Sequence, residues 1–128
     1  MPTGPPCIAV VDDDPDLRES IIGLLASAGH KAIGYSCAEA FLQSACAPAC
    51  VILDANLPGM SGLELLERLR ANVDPVPAVM ISARGYDEFL VARALQGGAA
   101  ACLRKPFAGE ELLSAVRNAI GRGNPKVQ

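Results

Sequence analysis

The stretch that most restricts this chain is Val51-Ile52-Leu53-Asp54-Ala55-Asn56-Leu57-Pro58-Gly59-Met60-Ser61-Gly62. A short apolar run without alternation suits a strand covered on both faces, and such strands belong to parallel sheets. This one ends on a carboxylate and passes into a Pro/Gly turn. Open α/β sheets place their ligand sites at the carboxyl ends of their strands, so Asp54 is the candidate reactive centre.

The rest of the chain repeats that grammar. Cys7 to Val11 reads as a first strand, followed by Asp14 as a helix cap, Pro15 at the first helical position and Leu17, Ile21, Leu24, Leu25 and Ala28 at helical spacing. Gly29 stops that helix, and His30 lies in the turn as an ordinary loop residue. Lys31 to Tyr35 is a weaker second strand. Ser36-Cys37-Ala38-Glu39 has the S-x-x-E form of a capping box opening a helix whose apolar side is Ala40, Phe41 and Leu42. A second box, Ser61-Gly62-Leu63-Glu64, opens a helix to about Asn72. Ala78 to Ile81 is a fourth strand ending on Ser82, and the helix after the Ala83 to Asp87 loop runs to about Gln96, where Gly97-Gly98 stops it. Ala100 to Leu103 is the fifth strand, and a last helix from about Gly109 presents Leu112, Val116, Ala119 and Ile120 before Gly121 ends it. Parallel neighbours need right-handed crossovers, so five strand–helix alternations with short loops predict one doubly wound five-stranded parallel α/β sheet.

Composition excludes several classes. At 128 residues the chain fits one domain and can bury roughly two-thirds of its unfolded surface. No apolar run reaches the eighteen or so residues of a membrane helix, and Met1 to Pro6 lacks the basic start of a secretory signal, so no membrane association and a cytoplasmic, bacterial-type location are expected. A net charge of -3 carries no basic footprint for nucleic acid. The five cysteines form an odd count with no C-x-x-C pair and read as small buried apolar residues rather than as a disulfide framework or zinc site.

Four predicted strand ends carry polar side chains: Asp12 and Asp13, Asp54, Ser82, and Lys105. In a parallel sheet these ends share one edge, with neighbouring strands about 4.8 Å apart, so the groups converge. Three close carboxylates resist joint ionisation unless a cation compensates, and Mg²⁺ suits hard oxygen donors while leaving places for phosphate oxygens. A lysine and a hydroxyl beside such an ion are what a transferring phosphoryl group requires, with a carboxylate as its nucleophile.

Val11-Asp12-Asp13, then Asp54 with Pro58, Met60 and Gly62 in D-x-x-x-P-x-M-x-G, then Ser82-Ala83, then Lys105-Pro106 together resemble the receiver domain of two-component response regulators. The resemblance spans about Cys7 to Ile120. It implies a flavodoxin-like (β/α)5 fold with strand order 2-1-3-4-5, a receiver over residues 1–121, and a tail or start of a linker over 122–128. It also implies that Asp54 accepts phosphate from the phosphohistidine of a sensor histidine kinase or phosphotransfer protein. Asp13 would ligate Mg²⁺ directly, Asp12 through water and Asn56 through its backbone carbonyl. Ser82 would bond a phosphoryl oxygen, Lys105 would pair with its charge, and the Lys105-Pro106 peptide would be cis. A homodimer formed on phosphorylation through the fourth helix, fifth strand and fifth helix is implied as well, with nucleic acid left to another segment. Ala38-Glu39-Ala40-Phe41-Leu42 and Leu57 to Gly62 further resemble receivers that precede a helix-turn-helix in transcription factors.

Two positions depart from or modulate the pattern. Cys102 stands where the family often has an aromatic switch three residues before the lysine, so a shift of the loop after Ser82 would have to carry the signal. Arg84 stands where the family tunes hydrolysis of the aspartyl-phosphate. The competing reading is a phosphatase-like hydrolase with an aspartyl nucleophile. Its D-x-D-x-T/V signature fails at Asp16, and there is no room for a substrate cap. A nucleotide-binding class lacks its glycine-rich loop after the first strand.

Overall fold

The structure, a computed structural model, describes residues 7–44, 47–71, 75–82 and 88–122. Its elements are β1 (Cys7–Val11), α1 (Pro15–Ser27), β2 (Lys31–Tyr35), α2 (Ala38–Gln43), β3 (Cys50–Asp54), α3 (Gly62–Arg70), β4 (Ala78–Ser82), α4 (Glu88–Gln96), β5 (Ala101–Arg104) and α5 (Gly109–Arg122). The strands form one parallel sheet in the order β2-β1-β3-β4-β5, as the alternation and the resemblance predict.

Period-two alternation along buried strands sends successive side chains to opposite faces. Ala9, Val11, Val51, Leu53, Ala78 and Met80 therefore pack with Phe41 of α2, Leu65, Leu66 and Leu69 of α3, and Ala94 of α4. Ile8, Val10, Cys50, Ile52, Val79 and Ile81 pack on the other face with Ile21 and Leu25 of α1 and Leu112, Val116 and Ala119 of α5. Each fully buried aliphatic side chain contributes about 1.5 to 3 kcal/mol. Tertiary packing of this kind holds α2, a helix of six residues that could not persist alone. An edge-on contact of Tyr35 and Phe41, with ring centroids 5.4 Å apart, ties the end of β2 to it.

Local signals succeed where their partners are local. Asp14 caps α1, its Oδ1 accepting the N–H groups of Asp16 at 3.0 Å and Leu17 at 3.3 Å, and Gly29 ends the helix at a φ of 90°. Ser61 and Glu64 form the reciprocal box that opens α3. Other expectations need correction. Ser36 does not cap α2, whose N-cap is Cys37 with no side-chain bond to the first-turn backbone, and that helix buries Ala38 and Phe41 while Leu42 stays exposed. Gly121 does not end α5, which runs on to Arg122, and β5 starts one residue later than predicted. Of the described cysteines only Cys50 is fully buried, which pushes its thiol up to about 12; Cys7, Cys37 and Cys102 are half-buried thiols, and Cys46 lies outside the described residues. Among the described residues no helix is long and apolar enough to cross a membrane.

Candidate functional site

The parallel register sets the site. Val11 pairs with Leu53, Asp54 with Ile81 and Ser82 with Arg104, so Asp12, Asp54, Ser82 and Lys105 emerge together at the carboxyl edge. Asp12 is 0% exposed and Asp54 4%, whereas Asp13 faces solvent. One carboxylate oxygen from each of the three lies within 4.8 Å of the others, an arrangement able to hold a metal ion. Lys105 Nζ reaches between the buried pair, 3.1 Å from Asp12 Oδ2 and 3.4 Å from Asp54 Oδ2. The Lys105-Pro106 peptide is cis.

Each buried carboxylate also takes a backbone donor. Asp12 Oδ1 accepts the Asp14 N–H at 2.9 Å, and Asp54 Oδ1 accepts the Asn56 N–H at 3.0 Å. For Asp12 the loss of water dominates: burial pushes its carboxyl above the ordinary 3.8, against the opposing pull of the Asp14 N–H and the Lys105 ammonium. Ser82 Oγ is buried at the same edge with no hydrogen-bond partner among the described residues. A buried hydroxyl left unsatisfied costs stability, which sets this oxygen apart from the carboxylates beside it. An open hollow lined by Asp14, Leu17, Lys105, Pro106 and Phe107 adjoins the lysine.

Three contacts brace this edge. Arg18 of α1 donates from Nη1 to the Asp12 carbonyl at 2.7 Å. The Glu39 carboxylate accepts the Met60 N–H at 3.2 Å, tying α2 to the loop after Asp54. This is where the side chain expected in a capping box has gone. Its own N–H and then that of Met60 hold the Glu39 carboxyl below the usual 4.5. Gly62 begins α3 against the backbone of Asp54 and Ala55, and its N–H donates to the Ala55 carbonyl at 3.2 Å.

The structure thus brings together Asp12, Asp13, Asp54, Ser82 and Lys105, with Asn56 adjoining through its backbone. Asp14 serves as a cap, as expected. Arg84 lies outside the described residues. Sequence reasoning missed Arg18, gave Glu39 a capping role at Ser36 in place of its bond to Met60, and placed Gly62 in the motif without its contact with the Asp54 backbone. The D-x-x-x-P-x-M-x-G spacing marked that glycine and the S-x-x-E spacing marked Glu39 for a different partner, but nothing local marks Arg18.

A family model described as the response regulator receiver domain matches residues 8–117. The transcriptional regulatory protein FixJ of Bradyrhizobium diazoefficiens is 36% identical over 120 residues, covering 92% of this chain and 58% of that protein. The crystal structure of full-length FixJ from B. japonicum superposes with a TM-score of 0.87 at 35% identity, over 98% of this chain and 62% of that one. A response regulator receiver protein from Burkholderia phymatum gives a TM-score of 0.79 at 36% identity, over 91% and 95% of the two chains. This chain therefore spans little more than half the length of the FixJ protein that it matches. On the family match and these identities together, the chain belongs to the response regulator receiver domains of two-component signalling.

Proposed function

We propose that residues 1–121 form a phosphoacceptor switch in which Asp54 takes a phosphoryl group from a phosphohistidine of a sensor histidine kinase or phosphotransfer protein. The observation that carries this reading is the placement of Asp54: a nearly buried carboxylate with Lys105 Nζ at 3.4 Å and two further carboxylates beside it. A carboxylate oxygen of Asp54 attacks phosphorus, the bond from phosphorus to the imidazole nitrogen breaks, and that nitrogen keeps the electron pair and takes up a proton. Lys105 then pairs with the transferred charge, and the unpartnered Ser82 Oγ donates to a phosphoryl oxygen. The hollow beside Lys105 gives a donor side chain room to approach.

The donor set fits Mg²⁺. All three carboxylates are hard oxygen donors, and the orphaned Ser82 hydroxyl stands ready for what a bound phosphoryl group would add. Asp13, Asp54 and the Asn56 carbonyl would hold the ion, with Asp12 acting through water. When bound, it neutralises charge on the phosphoryl oxygens.

The output is read as transcriptional, by analogy with FixJ, and residues 122–128 as a tail or the start of a linker. The surface formed by α4, β5 and α5 would dimerise on phosphorylation, and α4 carries the exposed apolar side chain of Leu95, 48% exposed. Couplings of this kind are about 1 to 3 kcal/mol, enough to shift a balanced population. With Cys102 where an aromatic switch is usual, the chain following Ser82 is assigned the readout. The test is intact-mass analysis after incubation with acetyl phosphate and Mg²⁺, alongside Asp54→Asn and a metal-free control. One phosphoryl adduct, lost in both controls, is expected. An adduct retained by Asp54→Asn would overturn the assignment.

A further inference from the structure

We infer that Arg18 is a positioning residue for the metal-binding carboxylates, working through a channel that Gly34 leaves open; the inference rests on the reading of the site given above. The side chain of Arg18 leaves α1, crosses β2 at Gly34 and places Nη1 2.7 Å from the carbonyl oxygen of Asp12. That carbonyl belongs to the peptide joining Asp12 to Asp13, so its direction sets where the Asp13 side chain starts. The same short segment is held from its other end, where the Asp12 N–H donates to the Tyr35 carbonyl at 3.0 Å. Asp12 is thus held through its N–H by the end of β2 and through its C=O by a guanidinium. A charge-assisted bond to a partly buried carbonyl is among the stronger neutral-acceptor contacts.

Gly34 makes the route possible. A Cβ there would stand 2.9 Å from Arg18 Cδ, 3.1 Å from Arg18 Cγ and 3.0 Å from Ile22 Cδ1. Its φ is not in the left-handed region, so what this position requires is space, not backbone freedom. Any side chain at 34 lifts the arginine stem off the strand and draws its head away from Asp12.

Three roles for Arg18 predict three different signs. As a positioning residue, its loss weakens Mg²⁺ binding. As a mere cation beside an acidic cluster, its loss tightens binding by removing repulsion. As packing alone, its loss lowers stability and leaves affinity unchanged. The experiment is a Mg²⁺ titration of the wild-type chain, Arg18→Met and Gly34→Ala, followed by amide NMR, with exchange of the Asp13 and Asp14 amides measured in metal-free buffer. Outer groups that orient metal ligands typically change affinity by about 10- to 100-fold, and an effect near the lower end, about tenfold weaker, is expected for Arg18→Met. Gly34→Ala keeps the guanidinium and moves it, so it shifts affinity in the same direction by less, and both variants exchange the Asp13 and Asp14 amides faster. Arg18→Lys, which keeps charge and a donor, restores part of the loss. Unchanged or tighter binding by Arg18→Met overturns the inference; should that variant fail to fold, unchanged or tighter binding by Gly34→Ala does so. Absence of Mg²⁺ binding by the wild-type chain, or binding unaffected by Asp54→Asn, overturns the underlying reading as well.

Discussion

Replacing Gly62 by alanine tests whether α3 is built directly onto the backbone of Asp54. An alanine Cβ at 62 would collide with the Asp54 carbonyl oxygen and lie 2.8 Å from Ala55 Cα and 3.0 Å from the Asp54 carbonyl carbon. Carbon pairs prefer about 3.5 to 4.0 Å, so the helix start or the strand end must retreat by roughly half an ångström or more. Neither has slack: Asp54 and Ala55 are buried, and the Ala55 N–H donates to the Ile81 carbonyl at 2.8 Å. Overpacking of this kind costs about 1 to 3 kcal/mol, which the helix-propensity gain of alanine over glycine, at most about 1 kcal/mol, only partly offsets. A net loss of about 1 to 2 kcal/mol is expected, or roughly 3 to 10 °C in Tm for a chain of this size. Gly23 in α1 is the matched control, because a Cβ there meets nothing within 4 Å, and Gly23→Ala should raise stability by about 0.5 to 1 kcal/mol. Urea denaturation followed by circular dichroism, with both variants compared at unchanged slope, measures the two changes. Gly62→Ala matching or exceeding wild-type stability would refute the reasoning and return Gly62 to the role of a helix opener.

Two further outcomes follow from the acidic edge. Burial raises the Asp12 carboxyl in the fold, so between its ordinary value near 3.8 and its folded value the native state holds the extra proton. Stability contributed at this position is therefore fullest below that range and falls as pH rises through it. In metal-free buffer the urea midpoint of Asp12→Asn should gain on wild type as pH rises above 4, and the opposite trend would contradict the assignment. Ser82→Ala removes a buried hydroxyl that has no partner, so unphosphorylated stability should hold or rise while phosphorylation by acetyl phosphate slows. A loss of more than about 1 kcal/mol without slower phosphorylation would show that the hydroxyl serves the fold instead.

Most of the fold was legible because its signals are local. Apolar runs without alternation marked β1, β3 and β4, and Asp14-Pro15 and Ser61 with Glu64 marked helix starts that formed as read. The convergence of Asp12, Asp13, Asp54, Ser82 and Lys105 was legible because parallel strands put all their carboxyl ends on one edge. What could not be read was competition between local and distant partners. Glu39 matched a capping box three residues from Ser36 but bonds to Met60, twenty-one residues away. Nothing in the neighbouring Asp12 and Asp13 distinguishes them, yet one is sealed and raised in pKa while the other faces water. Arg18 reads as one more exposed helix arginine until Gly34, a strand away, is seen beneath it.

The sheet divides the hydrophobic interior into two halves that share strands but no side chains. Val51 and Leu53 belong to one half, Cys50 and Ile52 to the other. Arg18 of α1 bonds the Asp12 carbonyl from the α1 and α5 side, while Glu39 of α2 and the start of α3 hold the segment after Asp54 from the opposite side. α4 packs on the first half and α5 on the second, so a surface that uses both helices straddles the β5 edge and draws on both halves of the interior at once.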